Sequence, residues 1–135
     1  MNNRLPRTQT KAPSILVAEN EPTSRMSLSE LLREEGYQVV EAADSGSAIT
    51  QIRKNVDLNI ILSNLEMPTW KTVIEQGRFA LPQAFIVGMV RYGALPNALE
   101  AQRLGADGYL VKPLSFNEVN QWIQRFLTGQ SLIKS

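Results

Sequence analysis

The feature that most constrains this chain is its rhythm: five short apolar runs alternate with segments of helical periodicity. The runs are Ser14–Ala18 (SILVA), Tyr37–Ala42, Leu58–Leu62 (LNIIL), Ala84–Met89 (AFIVGM) and Gly108–Val111 (GYLV). Runs this brief and this apolar suit strands buried on both faces. Between them, Pro22 opens a helix carrying Leu28, Leu31 and Leu32, and Gly36 is placed to end it. Ser45 to Lys54 reads as a second helix with Ala48, Ile49 and Ile52 on one side, and Asn97 to Leu104 as another closed by Gly105. Ser115 and Glu118 form a capping-box pair ahead of Val119, Trp122, Ile123 and Phe126, which recur at i, i+3, i+4 and i+7. Strands alternating with helices predict an α/β domain, a parallel sheet covered on both faces with right-handed crossovers. A third helix belongs in Thr69 to Pro82, but Gly77 and Pro82 leave it room for only about two turns.

A length of 135 residues suits one domain. The pattern places it over 14–128, between a basic tail at 1–13 and a short tail at 129–135. Cysteine and histidine are both absent, which excludes disulfides, thiolate metal sites, the usual zinc ligands and histidine acid–base chemistry. Arg4, Arg7 and Lys11 lie before Ser14 with no acid beside them; the remainder carries 11 basic and 13 acidic residues, a net charge of −2. That balance builds no basic face for nucleic acid. No apolar run reaches the length of a membrane span, and no signal peptide opens the chain. The expectation is a cytoplasmic protein.

In an open parallel sheet, ligands bind beyond the carboxyl ends of the strands. Those ends bring together Glu19, Asn20 and Glu21 after the first strand, Asn64 at the third, Val90 at the fourth, and Lys112 before Pro113 at the fifth. With these residues in place, the chain resembles the receiver domains of bacterial two-component response regulators, over about residues 14 to 128. ILVAENEP is similar to the family's first-strand acidic motif, and LNIILSNLEMP to its acceptor strand and Met-Pro turn. IVGMV occupies the place of its hydroxyl-ended strand, and RLGADGYLVKP matches its Gly-Ala-Asp, aromatic and Lys-Pro segment. The resemblance implies a three-layer, flavodoxin-like fold with strand order 2-1-3-4-5 and five helices. It also implies phosphoryl transfer to an aspartate, with acids holding Mg²⁺ and a hydroxyl and a lysine binding the phosphoryl oxygens.

Carried over residue by residue, the resemblance puts Asn64 at the phosphoacceptor position, where a neutral amide is a poor nucleophile. Glu19 matches the first acid; Asn20 matches the second without its charge. Val90 matches the switch hydroxyl, keeping its shape but no oxygen. Lys112 is retained, and Tyr109 matches the aromatic that swings with the hydroxyl. No catalytic residue and no cofactor is expected. Lys112 should pair with Glu19, or bond the Asn64 oxygen, in place of a metal, with weak Mg²⁺ binding at Glu19 and Glu66 the competing reading. Arg91, at the pocket mouth, is expected to extend into water rather than reach Glu66. Trp70, with no periodicity to place it, is either an exposed partner contact or a plug beside the shortened helix.

Output in such domains runs through the fourth helix, fifth strand and fifth helix. Here that surface includes Asn97, Gln102, Arg103, Tyr109, Asn120, Gln121 and Gln124, and Trp70, Arg91, Arg103 and Tyr109 are the candidate contacts. Trp122 falls in the helical stripe and is expected in the core. The function expected is that of a pseudo-receiver acting by protein–protein contact. Its partners would be proteins of a signalling pathway, a histidine kinase or another regulator, with a possible homodimer through the same face. The alternative is a small-molecule or anion sensor using the emptied pocket beside Lys112. A flavodoxin-like cofactor protein is disfavoured, because ENEPTSR offers no glycine-rich phosphate loop. A DNA-binding regulator would need an attached output domain.

Overall fold

A computed structural model describes residues 12–129. The expected tails, at 1–13 and 129–135, lie mostly outside the described residues. Five parallel strands, β1 (Ser14–Ala18), β2 (Gln38–Ala42), β3 (Ile60–Asn64), β4 (Phe85–Arg91) and β5 (Gly108–Lys112), form one sheet in the order β2-β1-β3-β4-β5. The intervening helices are α1 (Pro22–Glu34), α2 (Ser45–Lys54), α3 (Trp70–Ala80), α4 (Leu95–Leu104) and α5 (Phe116–Thr128). A 3-10 turn at Tyr92–Ala94 leads into α4.

Alternation along the strands divides the core in two. Ile15, Val17, Ile60, Leu62, Val87 and Met89 meet Leu28 and Leu32 of α1 and Val119 and Ile123 of α5. Leu16, Ala18, Ile61, Ile86 and Val90 meet α2, α3 and α4 through Ile52, Trp70, Val73, Ile74 and Ala101. Burying each such large apolar side chain contributes about 1.5–3 kcal/mol. The helix ends are capped by local chemistry. The Glu21 carboxylate accepts the Ser24 N–H, the Asp44 side chain and Ser47 form a reciprocal capping box, and the Ser115 hydroxyl accepts the Glu118 N–H. Trp122 meets the edge of Phe85 and lies flush over Gly108, half-buried as part of the α5 packing.

Two expectations about the segment after β3 need correction. The third helix is not short: α3 runs for 11 residues, about three turns, and continues through Gly77. That glycine does not end the helix; it lets it approach the sheet, since a Cβ there would sit 3.0 Å from Ile61 Cδ1 and 3.3 Å from Ile86 Cδ1. Trp70 is the first residue of α3 and is buried in the core, so it is no exposed partner contact. The helix start itself is irregular, with Thr69 at φ 60° and no side-chain cap. At the opposite end of the sheet Arg78 gathers the chain: its guanidinium donates to the carbonyls of Gly105, Pro82 and Ala84 at 3.0 Å each and to Asp107 at 2.8 Å.

A polar relay at the carboxyl end of the sheet

The parallel register brings Glu19, Asn64, Arg91 and Lys112 to one end of the sheet, with Asn64 opposite Met89 and Arg91 opposite Lys112. Glu19 is almost wholly buried, its side chain 3% exposed. Its Oε1 accepts Lys112 Nζ at 2.7 Å. Its Oε2 accepts the Asn64 side-chain amide at 3.1 Å and the Glu21 N–H at 3.0 Å. The Asn64 amide also donates to Asn20 Oδ1 at 2.8 Å, and its own Oδ1 accepts the Glu66 N–H at 3.1 Å. Every strong polar group of buried Asn64 is therefore satisfied internally.

The chain of bonds continues outward. The Glu66 carboxylate accepts the Arg91 backbone N–H at 2.8 Å and Arg91 Nε at 2.6 Å. Burial pushes the Glu66 carboxyl up, but the backbone and side-chain bonds from Arg91 and the charges of Arg91 and Lys112 outweigh it and hold the group below its ordinary range. Arg91 thus reaches Glu66, contrary to the expectation that it would extend into water. The register explains why: Asn64 pairs with Met89, so Glu66 and Arg91, each two residues further on, meet across adjacent strand ends. This contact was readable in principle, but only with the register in hand. At the start of α1, hydrogen bonds from Ser24 hold the Glu21 carboxyl low as well.

The remaining positions lie around this relay. Val90 is fully buried and joins the apolar core on the α2–α4 side. Ser63 is buried on the face of β3 opposite Asn64. Tyr109 is 37% exposed on β5. Arg103 points outward from α4 and pairs with Glu100 at 2.6 Å. Asn97 is turned inward: its side-chain amide donates to the Leu65 carbonyl at 2.7 Å. Among the described residues, no cluster of three or more acids, histidines or cysteines is placed to hold a metal ion. A groove of about 300 Å³ opens beside Lys112, between α1 and the start of α5, lined by Leu28, Leu31, Met89, Leu114, Phe116 and Val119. Among the described residues, no helix is long and apolar enough to cross a membrane.

Comparisons with known proteins place this geometry. The chain is 30% identical over 106 residues to the transcriptional regulatory protein PdtaR of Mycobacterium tuberculosis, covering 78% of this chain and 52% of PdtaR. It is 26% identical over 122 residues to the regulatory protein AtoC of Escherichia coli, covering 89% of this chain and 26% of AtoC. It therefore spans about half the length of the first relative and about a quarter of the second. The receiver domain of a CheY-like protein from Methanospirillum hungatei superposes with a TM-score of 0.80 at 24% identity, covering 89% of this chain and 97% of that one. The receiver domain of the yeast regulator Ssk1, crystallised with the histidine phosphotransfer protein Ypd1, superposes at 0.76 with 20% identity, covering 92% and 94%. The five-stranded order and the five helices are those of the CheY-like, flavodoxin-like fold. The family model for the response regulator receiver domain matches residues 15–124, and the chain belongs to that family.

Proposed function

We propose that this domain is a pseudo-receiver, a module of two-component signalling that works by protein contact without taking up a phosphoryl group. The observation that carries this reading is the relay itself. A nucleophile is missing at Asn64, whose amide instead donates to Glu19 and Asn20. The ammonium of Lys112, which would meet phosphoryl oxygens, is held by Glu19. Mg²⁺ is commonly held by one or two carboxylates with water completing its shell, and here both oxygens of Glu19 and both of Glu66 already accept internal donors. Val90 offers no hydroxyl to draw inward, so Tyr109 has no phosphoryl-linked partner. The domain then acts as a binding module rather than an enzyme, in the cytoplasm.

Its partners on this reading are proteins of the same kind of pathway: a histidine kinase, a phosphotransfer protein such as the one bound to the Ssk1 receiver domain, or another regulator. A second copy joined through α4, β5 and α5 is a further candidate. Incubating the protein with Mg²⁺ and a small phosphodonor tests the proposal. Intact mass should show the unmodified chain; a stable acyl-phosphate adduct would refute it. The groove beside Lys112 favours a second reading, a small-molecule sensor. A ligand screen by thermal shift separates the two, because a specific ligand raises the melting temperature.

A further inference from the structure

The geometry points to Glu66 and Arg91 as a built-in clasp that holds the β4–α4 loop against the β3–α3 loop. This rests on the pseudo-receiver reading and names how the site would be regulated: the loop leading to α4 is held in one arrangement without a signal. Two consecutive residues, Leu65 and Glu66, carry the ties. Leu65 donates its N–H to the Met89 carbonyl at 2.9 Å. Its carbonyl accepts the Asn97 amide at 2.7 Å, which fixes the first turns of α4. Glu66 then takes both the backbone and the side-chain donor of Arg91.

The two Arg91 bonds differ in their setting. The Arg91 side chain is 74% exposed, so water and salt compete for its Nε. Glu66 is 18% exposed and accepts the Arg91 backbone N–H at 2.8 Å, a bond that orders no long side chain at Arg91. The backbone bond should therefore dominate the clasp. Beyond it lies the 3-10 turn with Tyr92, 76% exposed, and then α4 with Leu99, 62% exposed. The clasp thus fixes the segment from which α4 starts. It also joins the rest of the relay: Glu66 is bonded through its N–H to Asn64, Asn64 to Glu19, and Glu19 to Lys112.

Amide hydrogen exchange on the full chain tests this, with wild type, E66A, E66Q and R91M compared. In E66A, exchange from Arg91 to Leu95 should accelerate on the order of tenfold, with β1 and β3 core amides unchanged. E66Q, which keeps the shape and removes the charge, should give a smaller rise, as should R91M, which keeps the backbone donor. Unchanged exchange across this loop in E66A and E66Q would overturn the clasp, as would an equal acceleration in β1, which would mean general destabilisation. The phosphodonor experiment on wild type is read separately. An adduct there would defeat the pseudo-receiver reading, whereas the exchange data on unmodified protein decide the clasp.

Discussion

Replacing Lys112 by methionine isolates the central contact of the relay. The ammonium lies 2.7 Å from Glu19 Oε1, with side-chain exposures of 24% and 3%. At an effective dielectric constant near 20, a pair at that distance attracts by roughly 6 kcal/mol before desolvation is subtracted. Breaking a buried pair from one side costs about 3–5 kcal/mol, because a charge is left without its partner. Two features pull the value down here. Lys112 is a quarter exposed, and Glu19 keeps donors from Glu21 and Asn64. We expect K112M to lose about 2–3 kcal/mol in urea unfolding near neutral pH, with the slope of the transition unchanged. E19Q in the K112M background should restore much of that loss, and the four proteins together should give a coupling energy above about 1 kcal/mol. A K112M loss below about 0.5 kcal/mol with negligible coupling would refute the pairing and leave Lys112 available for an anion.

Three further outcomes follow from the same geometry. N64D should not restore chemistry; it replaces a donor to Glu19 and Asn20 by a carboxylate facing both, and should cost about 2–4 kcal/mol near neutral pH. Part of that loss should return on acidification, since a carboxyl raised by a like charge regains its proton above the unfolded value; a stability deficit that does not shrink toward acid would contradict the arrangement. The clasp has the opposite pH sense. The Glu66 carboxyl is lowered, so its contribution is complete above the ordinary carboxylate range near 4.3 and fades as pH falls through the depressed folded value. Exchange at the Arg91 amide, corrected for intrinsic rates, should rise only in that acid window. G88A should destabilise by about 1–3 kcal/mol, because a methyl there overlaps Leu65 Cγ and Cδ1. L65V should relieve part of the loss, a compensation measurable by thermal unfolding.

The alternation of apolar runs with helical stripes is enough to read the layers, the resemblance supplies the strand order, and the ends of the third and fifth strands fall at Asn64 and Lys112 as expected, while β4 continues one residue past Val90 to Arg91. The layers depend on local periodicity, and the stripe Val119, Trp122, Ile123 and Phe126 became α5 as read. Where the reading failed, the deciding force was tertiary. Gly77 looked like a helix stop, because glycine is costly in a helix interior. Its role is close contact with Ile61 and Ile86, which no local signal carries. Trp70 is an exception: it opens a stripe with Val73, Ile74 and Gly77 at i+3, i+4 and i+7, and that local periodicity marks its side chain as part of the core. Side-chain preference alone sends Arg91 into water, and only the β3–β4 register reveals Glu66 beside it. Its polarity groups Asn97 with an outward surface, yet its side-chain amide donates inward to the Leu65 carbonyl.

The contact between Leu65 and Gly88 has a consequence for how such a domain tolerates change. Leu65 is fully buried, and it lies over the bare backbone of Gly88 with its N–H on Met89. The corner that carries Asn64 and Glu66 is therefore shaped by apolar fit and backbone bonding as well as by its polar side chains. Positions 20, 64 and 90 do not supply this wedge, so a change of chemistry there leaves the Leu65–Gly88 contact in place. Substitution at Leu65 or Gly88 should then disturb the shape of this corner, whereas substitution at Asn20 or Asn64 should disturb its charge balance and hydrogen bonding.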